Sequence, residues 1–543
     1  MGRSEGNEQI FAPCREACPA GIDVPRYIRH IQNGNFDEAL ATIRERVPFP
    51  SVCGHACVAY CELKCARIQY DEATAIRKLK RAAAEHGSYD RKQENATPSN
   101  KKVAIVGAGP AGLTAAYYLV IKGHQVVVFE SLPESGGMLR YGIPEYRLPN
   151  DALTREISII MDQGVHIKTD TCIESPVDLL KKDFDVVLIA IGAWKPKKMG
   201  IKGEDSETTL DGISFLKDVN TGVQPTIGEK VVVVGGGHVA IDVARSAIRL
   251  GSEDVHLICL ESREEMPVDN EELSAAEEEG VLVHNRLGPD EIIIKDGKTE
   301  AFQAKQCISV FTETGEFNPV FNEEQKILFS GVGTVITAIG QTVNPFFPND
   351  NSKIQSGSSS VDNDTLQTDI PNIFAVGDAV TGPSSIIEAI AHGRRASMSI
   401  DMYLGGDGII DTQEEASNNC VIPDAAPRGT VQADADKVML EERLSGFGLA
   451  EKGYDRDMAI REACRCLSCD LRDYHVEVSA ELCKDCQYCK EVCALGVFQQ
   501  SAAFNPSGYQ PMVTGEIARC IGCLNCLYIC PDFAISIKEA NAA

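Results

Sequence analysis

Lys102 to Thr114 reads KVAIVGAGPAGLT, and the rest of the chain is organised around it. Val103 to Val106 suit a buried parallel strand, and Gly107, Gly109 and Gly112 follow in the spacing G-x-G-x-x-G. The first glycine permits a tight turn. The second lets backbone approach a pyrophosphate, and the third lets helix and strand pack closely, with phosphates held by free N–H groups at the helix N-terminus. A second strand, Gln125 to Phe129, ends at Glu130, where a carboxylate can accept from an adenosine ribose. Strand, turn, helix, strand and acid in that order predict a dinucleotide-binding fold.

The chain has 543 residues, 46 of them glycine and 43% hydrophobic, which suits several globular α/β domains. Its formal net charge of −27 repels phosphodiester backbones and acidic lipid, so nucleic acid and membrane are excluded as expected partners. No apolar run is long enough to cross a bilayer, and MGRSEGNEQIF lacks the apolar core of a signal peptide, so the expected location is the cytoplasm.

The 21 cysteines are mostly clustered at short spacings, which in a long chain of this kind points to metal or iron–sulfur ligation. Cys172, Cys259, Cys307 and Cys420 stand alone and read as small packing residues. A helical segment, residues 1 to 95, carries Cys14 and Cys18, then Cys53, Cys57, Cys61 and Cys65 at intervals of four. Six thiols cannot complete two four-iron clusters. An acidic linker spanning 405 to 474 supplies Cys464, Cys466 and Cys469, and the pair Cys466-x-x-Cys469 is expected to fold back. The assignment is one cluster on Cys18, Cys53, Cys57 and Cys61 and another on Cys14, Cys65, Cys466 and Cys469. Zinc is the chemical alternative.

Between residues 96 and 404 the fingerprint recurs. VVVVGGGHVAIDVARSAIRLG places Gly235, Gly237 and Ala240 in the pattern G-x-G-x-x-A. The following strand, Val255 to Leu260, ends at Glu261; a carboxylate there accepts from a 2′-hydroxyl and repels a 2′-phosphate, favouring NAD(H) over NADP(H), with Arg263 close by. Further on, Ile373 to Val376 reads as a strand, Asp378 is placed to meet a flavin ribityl hydroxyl, and a helix beginning near Ser385 points its positive end at the flavin pyrimidine ring. The predicted fold is thus α/β with two Rossmann-like domains. An FAD domain in two parts, 96–194 and 331–404, is interrupted by an NAD domain at 195–330.

Residues 475 to 543 carry two ferredoxin-type runs, Cys483, Cys486, Cys489, Cys493 and Cys520, Cys523, Cys526, Cys530. In that pattern the fourth thiol of each run ligates the other cluster. One cluster then takes Cys483, Cys486, Cys489 and Cys530, the other Cys520, Cys523, Cys526 and Cys493, making four [4Fe-4S] clusters in all.

IDVPRYI, VCGHAC, CELKCAR, VAIVGAGPAGL, GGMLRYGIPEYRLP, SREEMP and FAVGDAVTGPSSIIEAIAHGR resemble the family that includes the glutamate synthase small subunit, the flavin half of dihydropyrimidine dehydrogenase and the large subunit of NADH-dependent ferredoxin:NADP oxidoreductases. The resemblance implies FAD at Gly107, Gly109, Gly112, Glu130 and Asp378, and a nicotinamide nucleotide at Gly235, Gly237 and Glu261. It also shows departures. His238 stands where the family usually carries Asn, Glu261 and Ser262 stand where NADPH users carry a basic pair, and the C-x-x-C expected before Cys14 is missing. Some relatives complete one cluster with a Gln, whose place Lys80 takes here. The C-terminal stretch resembles the ferredoxin-like subunit of 2-oxoacid:ferredoxin oxidoreductases, which implies a thiamine diphosphate enzyme, or ferredoxin, as partner in a hetero-oligomeric complex. The expected activity is electron transfer between that partner and NAD through clusters and FAD, with no side-chain acid or base required. A glutamate synthase small subunit, a bifurcating oxidoreductase and a non-catalytic iron–sulfur scaffold or sensor are the rival readings.

Overall fold

The structure is a computed structural model that describes residues 12–88, 94–343, 361–410, 429–435, 437–471, 474–515 and 520–539. Cys420 and the 411–428 part of the expected linker lie outside the described residues. The chain divides into two units, Arg91–Ile410 with Asp436–Lys452, and Met1–Asp90 with Asp411–Ala435 and Gly453–Ala543.

The nucleotide unit is built on two five-stranded parallel sheets of the same design. The first runs Ile373–Ala375, Val186–Ile189, Lys102–Val106, Gln125–Phe129, His166–Lys168. The second runs Thr209–Asp211, Thr334–Thr337, Lys230–Val234, Asp254–Ile258, Leu282–His284. Unbroken apolar runs such as Val103–Ile105 and Val231–Val233 are fully buried, as strands covered on both faces must be. Helices Pro110–Ile121 and His238–Arg249 follow the two glycine turns. The strand Thr334–Thr337 hydrogen-bonds to Lys230–Val234, so the second sheet takes in residues beyond the boundary expected at 330. The crossings between the two sheets, Lys195–Pro196 and Gln341–Thr342, pair with each other. A three-stranded antiparallel sheet, Leu287–Lys295, Lys298–Phe311 and Phe317–Ser330, extends from the second domain.

The cysteine-rich unit packs helices Val24–Gln32, Phe36–Arg44, Pro50–Ala56 and Ile76–His86 with helix Arg456–Ala463. Gly54 permits a close approach of helix Pro50–Ala56 to helix Ile76–His86, since a Cβ there would stand 2.5 Å from the Arg81 Cα. Two antiparallel strand pairs, Tyr474–Val478 with Ile535–Glu539 and Phe498–Gln500 with Met512–Thr514, frame short helices Tyr488–Val492 and Asn525–Ile529.

The described parts of the segment expected to be a linker are structured in both units, and buried charge explains why. In the nucleotide unit, Arg443 on helix Leu440–Leu444 reaches Glu278 and Glu279. In the cysteine-rich unit, Arg465 is buried and bonds Glu462 at 2.8 Å and Asp71 at 3.1 Å, while Asp71 also takes both bonds of the Arg67 fork at 2.7 Å. Arg29 holds Asp470 in the same bidentate way. Breaking one such buried pair costs about 3–5 kcal/mol, so residues 455 to 471 are fixed against the N-terminal helices.

Candidate functional site

A cleft of about 300 Å³ opens over the first glycine turn, lined by Gly107, Gly109, Glu130 and Asp378 together with Gly137 and Trp194. The three glycines behave differently. A Cβ on Gly107, whose φ is +108°, would strike the Ala190 carbonyl at 2.4 Å, and one on Gly112 would strike the Gly107 carbonyl at 2.2 Å. Over Gly109 nothing lies within 4 Å, so the backbone is bared to the cleft. Glu130 is anchored by the Ala108 and Leu132 amides, each donating at 2.9 Å. Asp378 accepts on Oδ1 from the Ser384 amide and hydroxyl at 3.2 and 2.9 Å, and burial pushes its carboxyl above the ordinary range. Helix Ile386–Tyr403 starts in a capping box in which Ser385 and Glu388 bond each other, and Ala389 of its first turn lines the cleft. Pro110 begins the helix after the first turn, so bared amides and a carboxylate at a strand end meet where a dinucleotide needs them. The donor set fits FAD.

Trp194 and Lys217 also line this cleft. Trp194 Nε1 donates to the Ile191 carbonyl at 3.1 Å, and its ring meets Tyr141 edge-on. Lys217 comes from helix Gly212–Asn220 of the second domain; no local motif marks it, because only the topology brings it there.

The second turn repeats the first. Gly235 has φ +143° and a Cβ there would meet the Ala338 carbonyl at 2.3 Å, whereas above Gly237 there is open space. A Cβ on Gly236 would come 2.7 Å from Glu261 Oε2, so the carboxylate lies against the glycine loop. Arg263 is turned to Glu277, with its two bonds at 2.5 and 2.8 Å. His238, the first residue of the helix, places Nδ1 2.7 Å from Glu272 Oε2, and Arg147 joins Glu272 to Asp242. This ionic group beneath the second turn carries no signature in the sequence, since Arg147 lies 95 residues from Asp242.

In the cysteine-rich unit the structure brings sixteen thiols together in four sets, by the lining of three cavities and by mutual charge. Cys14, Cys65, Cys466 and Cys469 line one cavity. Cys483, Cys486, Cys489 and Cys530 line a second, and Cys493, Cys520, Cys523 and Cys526 a third. Cys53 and Cys61 lie on helices Pro50–Ala56 and Tyr60–Leu63, both against the helix of buried Lys80, and with Cys18 and Cys57 they act on its charge. Cys464 lines none of these cavities. Burial pushes the Cys466 and Cys526 thiols up to about 12 and those of Cys489 and Cys520 to about 11. Bare thiolates are therefore unfavourable in these pockets, and a cationic iron core that compensates them suits the donor set.

The sets are also contiguous within the unit. Cys469 and Cys523 pack on one apolar contact made by Ala66, Leu467 and Ile521, and Asn525 Nδ2 donates to the Gln69 carbonyl at 3.2 Å beside it. Helix Pro13–Glu16, which carries Cys14, packs on helix Tyr60–Leu63, which carries Cys61, and the charges of both thiols act on buried Tyr27.

A family model described as pyridine nucleotide-disulphide oxidoreductase matches residues 101–393, more than half of the chain. The chain belongs to that family. A second model, the dihydropyrimidine dehydrogenase domain II with a 4Fe-4S cluster, matches residues 10–92 of this oxidoreductase. It is 38% identical over 500 residues to the NADP(+)-dependent formate dehydrogenase subunit beta of Moorella thermoacetica, covering 85% of this chain and 71% of the relative. It is 35% identical over 527 residues to the NADPH-Fe(3+) oxidoreductase subunit beta of Geobacter sulfurreducens, covering 87% and 76%. Against the NAD-dependent dihydropyrimidine dehydrogenase subunit PreT of Salmonella typhimurium it is 30% identical over 403 residues, covering 72% and 91%. It is thus a flavin- and iron–sulfur-dependent pyridine nucleotide oxidoreductase of electron-transfer type. Among the described residues, one cysteine, Cys172, lines the cleft over the first glycine turn. Among the described residues no helix is long and apolar enough to cross a membrane.

Proposed function

We propose that this oxidoreductase exchanges a hydride with NAD(H) at its flavin and single electrons with a partner subunit through four [4Fe-4S] clusters. The flavin supplies the conversion between two-electron and one-electron chemistry, and the clusters carry electrons singly. The chain's residues bind and order these groups. Gly107, Gly109 and Gly112 shape the pyrophosphate turn, Glu130 takes the adenosine ribose, and Asp378 keeps Oδ2 for a ribityl hydroxyl. Gly235, Gly237 and Glu261 take NAD(H), with Glu261 set against a 2′-phosphate and Arg263 already engaged by Glu277. The relatives are named for NADP(H) as well as for NAD, so discrimination falls to these side chains.

The observation that carries the reading is the grouping of the thiols into four sets on a chain that also carries an intact flavin cleft. Cys18, Cys53, Cys57 and Cys61 take one cluster, and Cys14, Cys65, Cys466 and Cys469 the next. Cys493, Cys520, Cys523 and Cys526 take the third, and Cys483, Cys486, Cys489 and Cys530 the fourth. The contacts at Tyr27 and at Leu467 support that order, which leaves the fourth set at the end of the series. The exposed Tyr488, Tyr528 and Phe533 flank that last set, a surface suited to a partner's electron donor or acceptor.

For the partner, the ferredoxin-like end favours a thiamine diphosphate enzyme that oxidises a 2-oxoacid. A second reading, a formate-oxidising partner, is favoured by the Moorella relative. NADH-driven reduction of an artificial dye by the isolated, FAD-loaded chain tests the activity; absence of turnover with FAD bound favours a scaffold or sensor instead. Co-purification with subunits containing thiamine diphosphate, as against a formate-oxidising subunit, tests the partner.

A further inference from the structure

Lys80 lies on helix Ile76–His86 with only 2% of its surface exposed. Its neighbours Leu79, Ala82 and Ala83 are fully buried, so this is an apolar face and not one on which a lysine is solvated. Among the described residues no ion pair joins the Lys80 ammonium to a carboxylate. Helix Ile76–His86 packs on helix Pro50–Ala56, which carries Cys53, and touches helix Tyr60–Leu63, which carries Cys61, and the charges that act on Lys80 are those of Cys57, Cys53, Cys61 and Cys18. An isolated buried ammonium is costly by several kcal/mol or more, and only an anion in the ring of thiols offsets it. A cube held by four thiolates is such an anion.

We propose that Lys80 is a positioning charge for the cluster at Cys18, Cys53, Cys57 and Cys61, raising its reduction potential without ligating it. The proposal rests on the cluster assignment above. A four-thiolate cube is negative in both oxidation levels and gains one further negative charge on reduction. A fixed cation beside it stabilises the reduced level more than the oxidised one, and net charge near a cluster is one of the levers that set its potential. Four thiols already complete the coordination, and an ammonium has no lone pair to add.

The neighbouring set supplies a contrast. Arg67 lines the cavity of Cys14, Cys65, Cys466 and Cys469, but its guanidinium is held by Asp71, so its charge is neutralised locally. Lys80 has no such carboxylate. The cluster beside Lys80 therefore has the higher potential of the two and is the better resting place for an electron.

The test is an EPR-monitored redox titration of the full, cluster-loaded chain with Lys80→Met and Lys80→Arg, alongside iron content. In Lys80→Met one cluster becomes at least tenfold harder to reduce at a given poise, a fall of about 59 mV for one electron, while the others keep their midpoints. Lys80→Arg retains the native midpoint, and both variants retain all their iron. An unchanged midpoint in Lys80→Met overturns the proposal. So does loss of one cluster's iron in both Lys80→Met and the second neutral variant Lys80→Gln, since the lysine would then be needed to hold the cluster. Cys53→Ser is the separate control: full iron retention there overturns the ligand assignment, not the role of the charge.

Discussion

The carboxylate of Glu261 lies against Gly236, its Oε2 2.7 Å from where a Cβ would stand, at the mouth of the second glycine turn. A 2′-phosphate bound at that turn would meet a negative charge at close range, and the guanidinium of Arg263, two residues on, is occupied by Glu277. Wild-type enzyme is expected to prefer NADH in kcat/KM. Glu261→Gln removes the repulsion, and pairing it with Glu277→Gln frees Arg263. The double variant is expected to move the NADPH/NADH ratio at least tenfold toward NADPH, about 1.4 kcal/mol. A wild-type preference for NADPH would remove Glu261 from this role.

The two glycines of the first turn separate folding from binding. Gly109 has an ordinary extended backbone and no atom within 4 Å of a Cβ, so Gly109→Ala is expected to fold normally and lose flavin affinity as its methyl meets the pyrophosphate. Gly112→Ala drives a methyl into the Gly107 carbonyl at 2.2 Å and is expected to destabilise the unit by about 1–3 kcal/mol through overpacking. Thermal melts of the apo chains and flavin fluorescence titration distinguish them. Equal stability of the two variants would contradict the packing argument.

Local periodicity and spacing made the two nucleotide folds and the thiol sets legible, because a glycine turn between strand and helix and a C-x-x-C run are short-range patterns. Cys466 and Cys469 could be tied to Cys14 and Cys65 only by ligand arithmetic, since four hundred residues intervene and no local signal joins them. Separation along the chain likewise hid Arg147 from Asp242, 95 residues away, and Lys217 from the flavin cleft. The stretch from 405 to 474 looked like linker because it is acidic and poor in apolar runs. Its described parts are held by charge pairs at Arg443, Arg465 and Asp470, which hydrophobic patterning does not register.

Burial works against the Glu279 carboxylate, yet bonds from Arg245 and Arg249 at 2.7 to 3.0 Å outweigh it and hold the acid at about 2. A carboxylate depressed in the folded state stabilises it fully above the ordinary Glu value near 4.5, and that stability is lost as pH falls through 2. The contribution is on the order of 3 kcal/mol. Glu279→Gln is therefore expected to melt several degrees below wild type at pH 7, with the gap narrowing below about pH 4.5. Parallel melting curves down to pH 3 would show that the Arg245, Arg249 and Arg443 cluster is not held by this acid.

The fold-back of Cys466 and Cys469 gives the last prediction. Both thiols share a cavity with Cys14 and Cys65, and burial pushes Cys466 up to about 12, so the free thiol is neutral at pH 7 and is expected to lose its proton to iron on assembly. Replacing both by Ser should remove one cluster, about four of roughly sixteen irons per chain. The helix Arg456–Ala463 should stay in place, because Arg465, Glu462 and Asp71 hold it independently of the thiols. Because this set stands between the Cys18 set and the ferredoxin-like end in the proposed order, its loss should also uncouple the two. NADH would still reduce a dye at the flavin, but the spectral reduction of the Cys483 and Cys520 clusters by NADH should slow by orders of magnitude. Full iron in the double variant would return the N-terminal six thiols to a zinc or single-cluster reading, and unimpaired reduction of the terminal clusters would mean that electrons reach them by another route.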